Sequence, residues 1–370
     1  GVHDAKSGKT ENINFLGVAP AAARDDMWVD AIEGETADAF GFMLRDKINA
    51  IGHQAVMVPG NLKGYHTLLS DYGSMDWSDI SRSAIALADG GWIVRPHVYS
   101  YAMQDEEAQG RIHNSDILGY TSEGRTLYLG SDGHIKKPGN LVRNPQLGYL
   151  LKTIASEGID VFYKGDIAGR IADDMHAKGG LITREDLAAY EVVRSPALSG
   201  SYRGFRIATN VPGGSGVQVI EALNILEHFD LTALGHNTPE YIRTLVEAIA
   251  YAFNDKRNKV GDPAFVDVPL DQLVDKDYAK SFADRITAGE KASLDRMTLA
   301  ESKDTTHVCT LDEHGNAVTM THTLGAPSGV IAPGTGFIMN GCMSIFDPRP
   351  GKAMSIAPGK SYTSSMSPAI

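Results

Sequence analysis

The 370-residue chain is poor in cysteine, in positive charge and in long apolar runs. Its two cysteines, Cys309 and Cys342, exclude a disulfide framework, and neither lies in a C-x-x-C metal-binding spacing. No stretch approaches the roughly 18 to 20 consecutive apolar residues of a membrane helix. With 34 Lys and Arg against 46 Asp and Glu, the net charge of −12 argues against binding to nucleic acid. We therefore expect no membrane span, no nucleic-acid partner, no metal and no cofactor.

What is present is typical of a globular protein, with 42% hydrophobic and 22% charged residues in a chain long enough for one large or two ordinary domains. Ser7-Gly8-Lys9-Thr10 looks like part of a phosphate-binding loop. That motif needs a glycine where His3 stands, so we interpret residues 6–10 as a polar hairpin tip.

Several segments carry helix signals. Asn144 followed by Pro145 predicts a helix that runs to Gly158, and Thr183 predicts the cap of a helix from Arg184 to Tyr190. The polar, glycine-rich stretch 119–140 is predicted to be a loop with short strands. In the helix predicted over 239–254, the stripe Ile242, Leu245, Ile249 and Phe253 is expected to face the core. Helices precede strands in bulk, which favours helices covering a largely antiparallel sheet.

Two threonine-rich runs, 304–312 and 317–324, flank a Gly315-Asn316 turn signal and predict a β-hairpin. If Asp312 faces Ala317, then Thr306 faces Thr323 and Thr305 lies one step further out, with Cβ atoms roughly 5 to 8 Å apart. Cys309, in the middle of the first strand, is expected to be a small buried apolar residue.

A threonine can supply both nucleophile and base if its own α-amine is free. Here the chain would have to be cut between Asp304 and Thr305. An α-amine titrates at about 7.7 to 8.0, which suits a general base better than a lysine at about 10.4. The hairpin alone fits equally an ordinary strand rich in threonine, a residue that strands favour.

Blocks along nearly the whole chain resemble the gamma-glutamyltranspeptidase family. They are Thr-Thr-His at 305–307, Gly-Asn-Ala-Val at 315–318, Gly-Thr-Gly at 334–336, Ser-Ser-Met-Ser-Pro at 364–368 and, upstream, Val-Pro-Gly at 58–60, Phe-Tyr-Lys-Gly at 162–165 and the block 180–190. The resemblance implies an α+β fold, the four-layer αββα sandwich of N-terminal nucleophile hydrolases. It also implies a precursor that cleaves itself, with 1–304 as a large-subunit-like segment and 305–370 as the start of a small-subunit-like segment of one domain.

The same resemblance implies roles for single residues. Thr305 would be the nucleophile, cleavage would fall between Asp304 and Thr305, and Thr323 would orient the nucleophile. Ser364 and Ser365 match a serine pair that contacts the substrate carboxylate. The partners implied are a small-molecule amide substrate, the two subunits from one precursor, and further copies in a higher oligomer.

The chain departs from the family pattern at three polar anchors. Leu16 stands where an arginine grips the carboxylate of a γ-glutamyl group, Ile345 where an aspartate holds its α-amine, and Gly325 where an asparagine follows the second threonine. Hydrogen bonds to charged groups contribute roughly 1.5 to 3 kcal/mol each. We therefore expect an acyl group other than ordinary γ-glutamyl.

Relative to the family pattern, the chain begins after an opening helix and a glycine-rich strand. It stops at Ile370, before the paired glycines whose N–H groups form the oxyanion hole. We interpret it as part of a longer protein. The resemblance suggests a periplasmic or extracellular compartment, and a cytoplasmic one stays open.

Three interpretations follow. The first is an N-terminal threonine amidohydrolase or acyltransferase with altered specificity. The second is a true gamma-glutamyltranspeptidase, a glutathione hydrolase, whose anchors come from elsewhere, for instance Arg24 or Arg349. The third is a non-catalytic relative with a binding or structural role.

Overall fold

The computed structural model describes residues 1–35, 41–103, 112–293 and 305–370, and these form a mixture of helices and strands. The strands are β1 Val2–Asp4, β2 Lys9–Asn14, β3 Ile32–Glu35, β4 Phe42–Leu44, β5 Trp92–Ile93, β6 Leu141–Val142, β7 Val193–Pro196, β8 Leu198–Tyr202, β9 Phe205–Thr209, β10 Thr305–Leu311 and β11 Ala317–Thr323. The α-helices are α1 Asn61–Tyr72, α2 Trp77–Gly90, α3 Pro96–Val98, α4 Asn114–Leu118, α5 Ser122–Tyr128, α6 Pro145–Glu157, α7 Asp160–Tyr163, α8 Asp166–Ala177, α9 Arg184–Ala189, α10 Gly216–Leu226, α11 Leu231–Leu234, α12 Pro239–Lys259, α13 Leu270–Leu273 and α14 Lys276–Thr287. Short 3-10 turns lie at Val29–Ala31, Arg45–Lys47, His53–Ala55 and Cys342–Ile345, and a π turn lies at Tyr99–Met103.

The main sheet joins distant parts of the chain in the order β10-β11-β1-β2-β7. β1 pairs antiparallel with β11 on one side and with β2 on the other, and β2 pairs antiparallel with β7. The smaller pairs β3–β4, β5–β6 and β8–β9 are antiparallel as well. The predicted antiparallel sheet is therefore confirmed, and β10 lies at its edge.

Helix α1 contacts the sheet beside the hairpin. The hydroxyl of Tyr65 hydrogen-bonds to the His322 ring of β11, and the hydroxyl of Tyr72 donates to the Glu11 carboxylate of β2. Because neighbouring side chains of a strand point to opposite faces, the side chains of His322 and Thr323 lie on opposite faces of the sheet. Helix α1 therefore lies next to the end of the hairpin that carries Thr323.

Two apolar clusters support this region. The larger one packs α6, α7, α8 and α9 against the segment 330–339 and includes the fully buried Ile171, Leu187 and Val330. The second contains Met57, Cys342 and Met343, with Leu16 and Ile345 packed against it.

Local signals predicted several elements correctly. Asn144 caps α6 by accepting the Leu147 N–H at 3.0 Å, with Pro145 in the first turn. Residues 5–8 form the turn between β1 and β2, as expected for a polar hairpin tip, with Gly8 at a φ of 67°. Within the described ranges, no helix combines the length and the apolar character needed to cross a bilayer.

Two predictions of local structure are wrong. The stretch 119–140 contains α5, which begins where the Thr121 side chain accepts the Gly124 N–H at 3.1 Å. In α12, the predicted core residues Ile242, Ile249 and Phe253 are exposed. The buried positions of that helix are the small residues Thr244, Ala248, Ala250 and Ala252 together with Tyr251 and Lys256.

Candidate active site

The hairpin of β10 and β11 forms as predicted, but its register differs by one residue. Thr305 pairs directly with Thr323, and Leu311 pairs with Ala317. The expectation that Thr306 would face Thr323 is therefore wrong. The correction places the two candidate catalytic threonines directly opposite each other.

The connecting loop explains this shift. The Asp312 N–H donates to the Asn316 carbonyl at 3.0 Å, which leaves three residues in the loop. Gly315 ends that loop with a φ of 87°. A three-residue hairpin loop commonly has a residue in this left-handed conformation at its last position, and glycine adopts it without strain.

Direct pairing brings the side chains of Thr305 and Thr323 to the same face, with Cβ atoms about 4.5 to 5.5 Å apart. The Thr323 hydroxyl accepts the Gly325 N–H at 2.9 Å, and the Thr323 carbonyl accepts the side-chain amide of Asn61 at 3.3 Å. Thr305 is exposed to solvent. Asp304, on the other side of the predicted cleavage site, lies outside the described residues.

A cavity of about 320 Å³ adjoins Thr323. Its polar lining includes Asn12, Asn14, Thr319, Thr321 and Ser364, and its apolar lining includes Leu16, Leu62, Leu68, Leu150, Ile154, Phe162 and Phe337. A concave site with apolar walls and a few polar groups is what a small-molecule ligand requires.

The structure separates the two predicted substrate-binding serines. Ser364 is buried and lines the cavity together with Thr323 and Leu16. Its hydroxyl accepts the Met366 N–H at 3.0 Å, and its own N–H donates to the Gly213 carbonyl at 2.8 Å. Ser365 is exposed and is not among the described residues that line the cavity.

The three positions that depart from the family pattern lie around one apolar cluster. Leu16 and Ile345 both pack against the cluster that contains Cys342, and Leu16 also lines the cavity. Gly325 has a φ of 70°, and a Cβ added there would lie 2.2 Å from the Cys342 sulfur. These three positions, for which the sequence resemblance implies charged and amide anchors, therefore surround an apolar region that contains the Cys342 sulfur.

Neither arginine considered as a replacement anchor lines the cavity formed by the described residues. The Arg24 guanidinium pairs with the Asp26 carboxylate at 3.2 Å, with both side chains largely exposed. Arg349 pairs with the carboxylates of Asp347 and Glu35. In this structure both guanidinium groups pair with carboxylates outside the cavity.

The two cysteines differ from each other in environment. The prediction of a buried Cys309 is wrong: its thiol is exposed and lies 3.0 Å from the His307 Nε2. An edge strand leaves its outer side to solvent, which is why the whole of β10 is exposed. Cys342 is fully buried, and this burial raises the pKa of its thiol to about 11, so that it is protonated at neutral pH.

Sequence reasoning missed a second polar pair beside the cavity. Tyr65 and His322 both line it and hydrogen-bond to each other. Burial raises the pKa of Tyr65 to about 12 and lowers the pKa of His322, so both rings are neutral at pH 7. The two residues lie 257 positions apart in the chain, so no local pattern could have paired them.

The family model for gamma-glutamyltranspeptidase matches residues 1–370. The chain therefore belongs to the gamma-glutamyltranspeptidase family, as its sequence blocks predicted.

Among curated relatives, the chain is 35% identical to the glutathione hydrolase proenzyme of Escherichia coli (strain K12), over 99% of this chain and 63% of that protein. It is 37% identical to the acylase ACY 1 proenzyme of Pseudomonas sp. (strain V22), over 96% of this chain and 62% of that protein. The chain thus spans a little under two thirds of the length of these relatives.

Solved structures confirm the fold class. The chain is 29% identical to the gamma-glutamyltranspeptidase of Helicobacter pylori, with a TM-score of 0.67 over 81% of this chain and 79% of that one. Cephalosporin acylase from Bacillus halodurans shares the fold with a TM-score of 0.75 at 24% identity, over 97% of this chain and 63% of that one. The α+β fold of N-terminal nucleophile hydrolases is therefore the fold of this chain.

Proposed function

We propose that this chain is the catalytic part of a self-cleaving threonine amidohydrolase or acyltransferase of gamma-glutamyltranspeptidase type. Thr305 is the nucleophile, and Thr323 orients it. The observation that carries the proposal is the direct pairing of these residues at the open end of the hairpin, where Thr323 lines the cavity.

The chemistry has two stages. In the first, the Thr305 hydroxyl attacks the carbonyl of Asp304, the peptide C–N bond breaks, and water hydrolyses the resulting ester. This frees the α-amine of Thr305, which then serves as its base. In the second, the hydroxyl attacks a substrate amide, the α-amine relays the proton to the leaving amine, and water or another amine removes the acyl group.

The acyl group differs from γ-glutamyl. Leu16, Gly325 and Ile345 offer neither a charge nor a side-chain amide to a γ-glutamyl head group, and Leu16 and Ile345 pack on apolar neighbours. An ammonium or carboxylate taken from water without a partner bears a desolvation cost. The acylase name of one relative supports this proposal, whereas the glutathione hydrolase name of another favours the γ-glutamyl alternative.

The proposed molecule has two segments from one precursor, a large-subunit-like 1–304 and a small-subunit-like segment that starts with 305–370. The substrate is a small-molecule amide, and the reaction uses no cofactor.

The nucleophile is tested by Thr305→Ala in the complete protein, with Thr306→Ala as the neighbouring control. We expect the parent and the control to give two fragments on denaturing electrophoresis, with mass spectrometry locating the cut before Thr305. Thr305→Ala should remain one chain and should not turn over substrate. An uncut parent protein would instead support a non-catalytic relative.

The acyl specificity is tested with three anilides that differ by one group at a time. γ-Glutamyl anilide carries a carboxylate and an amine, glutaryl anilide lacks the amine, and pentanoyl anilide has a methyl group in place of the carboxylate. The ammonium that finds no partner costs one charged hydrogen bond, which predicts that kcat/KM for the γ-glutamyl anilide is at least about tenfold below the best of the three. If the γ-glutamyl anilide were the best substrate, the altered specificity would be refuted.

A further inference from the structure

A buried lysine stands behind the cavity wall, outside the hairpin. Lys256 of α12 directs its ammonium to the Ser215 hydroxyl at 2.5 Å and to the Ser364 carbonyl at 3.0 Å. The Ser215 hydroxyl in turn donates to the same Ser364 carbonyl at 2.9 Å. The three residues are only 8%, 3% and 6% exposed, so the cluster is closed to water.

This lysine lacks an ion-pair partner in the described chain, where no carboxylate lies within 4 Å of its ammonium. Lysine is rarely buried without a counter-charge, because its ammonium loses hydration. Burial accordingly lowers the pKa of Lys256 to about 8. The fold therefore keeps a cation, despite its desolvation cost, in contact with the carbonyl of one peptide group.

That peptide group joins the two predicted substrate-binding serines. Its carbonyl, on Ser364, accepts both donors. Its N–H, on Ser365, donates to no atom of the described residues. In a trans peptide the C=O and N–H point in opposite directions, so the N–H points away from Lys256. A carbonyl held by donors also polarises its own peptide N–H.

The surrounding segment is fixed by further hydrogen bonds to the loop 209–215. The Ser215 N–H and the Asn210 side-chain amide both donate to the Met366 carbonyl at 2.9 Å, and the Thr209 hydroxyl donates to the Pro368 carbonyl at 2.8 Å. Lys256 therefore acts on a backbone whose position is already defined.

We propose that Lys256, with Ser215 as relay, is a positioning residue that orients the Ser364–Ser365 peptide so that its N–H and the Ser364 hydroxyl, which lines the cavity, bind a carboxylate at the far end of the acyl group. This deepens, and rests on, the proposed acyl-transfer function. That this serine pair contacts a carboxylate is implied by the family resemblance, whereas the role of Lys256 is inferred from the buried cluster.

The test compares glutaryl and pentanoyl anilides, which differ only in that terminal carboxylate. In the complete cleaved parent protein, we expect a KM for the glutaryl anilide at least tenfold below that for the pentanoyl anilide. Lys256→Met should raise the glutaryl KM about tenfold, leave kcat within threefold, and leave the pentanoyl KM unchanged. Cleavage before Thr305 should proceed as in the parent.

Lys360→Met is the matched control. Lys360 is also a buried lysine with two acceptors, the carbonyls of Ala353 and Ser355, but these belong to another loop. Its substitution carries a similar folding cost and should leave the glutaryl-to-pentanoyl KM ratio unchanged. If Lys256→Met and Lys360→Met gave the same ratio as the parent, the inference would fail.

Ser215→Ala provides a second variant that keeps the lysine. It should raise the glutaryl KM less than Lys256→Met does, and the double variant should be no worse than Lys256→Met alone, because both act through one carbonyl. Fully additive effects would refute the relay. A parent that cleaves and turns over pentanoyl anilide as readily as glutaryl anilide would overturn this inference and leave the proposed function intact.

Discussion

Glu221 is a carboxyl group in the interior, only 1% exposed on α10. Burial, with the negative charge of Asp255 beside it, raises the pKa of Glu221 to about 9. Its Oε1 has no hydrogen-bond partner among the described residues. The native protein therefore holds this group protonated at neutral pH, whereas the unfolded chain releases the proton above about 4.5.

Because the native pKa is the higher one, the contribution of Glu221 to stability is complete below about pH 4.5 and is lost as the pH rises towards 9. Glu221→Gln keeps the shape and removes the titration. We expect the free energy of unfolding of Glu221→Gln to match that of the parent at pH 5. At pH 9 it should be higher by at least about 2 kcal/mol, since a change of one pKa unit corresponds to about 1.4 kcal/mol. Urea unfolding at both pH values measures this.

The exposed Glu157→Gln is the control and should leave the pH dependence of unfolding unchanged. An equal pH slope in the parent and in Glu221→Gln would show that Glu221 is ionised in the native protein.

An alanine at position 325 would suffer from two effects, backbone strain and a steric clash, and a second glycine allows them to be measured separately. Gly325→Ala would place a Cβ 2.2 Å from the Cys342 sulfur at a φ of 70°. Gly359→Ala has the same backbone problem, a φ of 73°, with no atom within 4 Å of the added Cβ. We expect the free energy of unfolding, measured by urea unfolding, to fall by about 1 kcal/mol in Gly359→Ala and by about 3 kcal/mol in Gly325→Ala.

The larger loss of stability expected for Gly325→Ala should depend on the Cys342 sulfur. In a double-mutant cycle, Cys342→Ala should relieve at least about 1 kcal/mol of the cost of Gly325→Ala. Strict additivity of the two substitutions would rule out the clash.

At the scale of single residues, the sequence was most informative where a motif is contiguous. Thr305, Thr323, Ser364 and Leu16 were all singled out, and the structure brings three of them to one cavity. Lys256 could not have been found this way, because a lysine near the end of an amphipathic helix is normally solvent-facing. Its burial depends on Ser215 and Ser364, which lie 41 and 108 residues away in the chain.

At the scale of elements, α9 holds the segment that carries Leu16. The Thr183 hydroxyl accepts the Asp186 N–H at 3.2 Å, and the Asp186 carboxylate accepts the Thr183 N–H at 2.8 Å, a reciprocal cap. Asp186 also accepts the Ala21 N–H, and the Tyr190 hydroxyl donates to the Leu16 carbonyl at 2.9 Å. The cap therefore supports one wall of the cavity.

Thr183→Ala should lower the free energy of unfolding by about 1 kcal/mol, the usual effect of removing an N-terminal capping hydroxyl. Thr183→Ser keeps the hydroxyl and is the control, with an expected change within about 0.5 kcal/mol. Chemical unfolding of the three proteins measures the difference. Equal losses for the two variants would indicate that the threonine methyl group, and not the cap, stabilises the helix.

Elements with local signals were predictable and those set by packing were not. Asn144-Pro145 and Thr183 each marked the start of a helix correctly, because capping is chemistry within four residues. The predicted inward face of α12 was wrong because the helix buries Ala248, Tyr251 and Ala252 and leaves Ile249 exposed, a choice that depends on the neighbouring helices. The hairpin register was wrong by one residue because it depends on the conformation of Gly315.

At the scale of the whole molecule, the main sheet ties the two predicted subunits together. Val2 and His3 of β1 pair with Val318 and Ala317 of β11, and the Asn340 amide binds both the N–H and the carbonyl of Met57. Pairings across more than 280 residues cannot be read from local sequence. The order of helices and strands predicted an antiparallel sheet covered by helices, and the family resemblance predicted the fold of N-terminal nucleophile hydrolases.

We therefore predict that cleavage before Thr305 leaves the protein in one piece. Size-exclusion chromatography in buffer should give a single peak that contains both fragments, and the fragments should separate only in denaturant. The Thr305→Ala protein, which stays uncut, should elute at the same volume and is the control. Separation of the fragments in buffer alone would contradict the continuous sheet.

The contact between the Cys342 sulfur and Gly325 also sets the order in which substitutions at these two positions can be acquired during evolution. A lineage that acquires asparagine at 325 first must pass through a poorly folded intermediate, because the new side chain meets the sulfur. A lineage that first exchanges Cys342 for a smaller residue keeps a folded protein at each step. One thiol thus fixes the order in which mutations can reshape substrate preference.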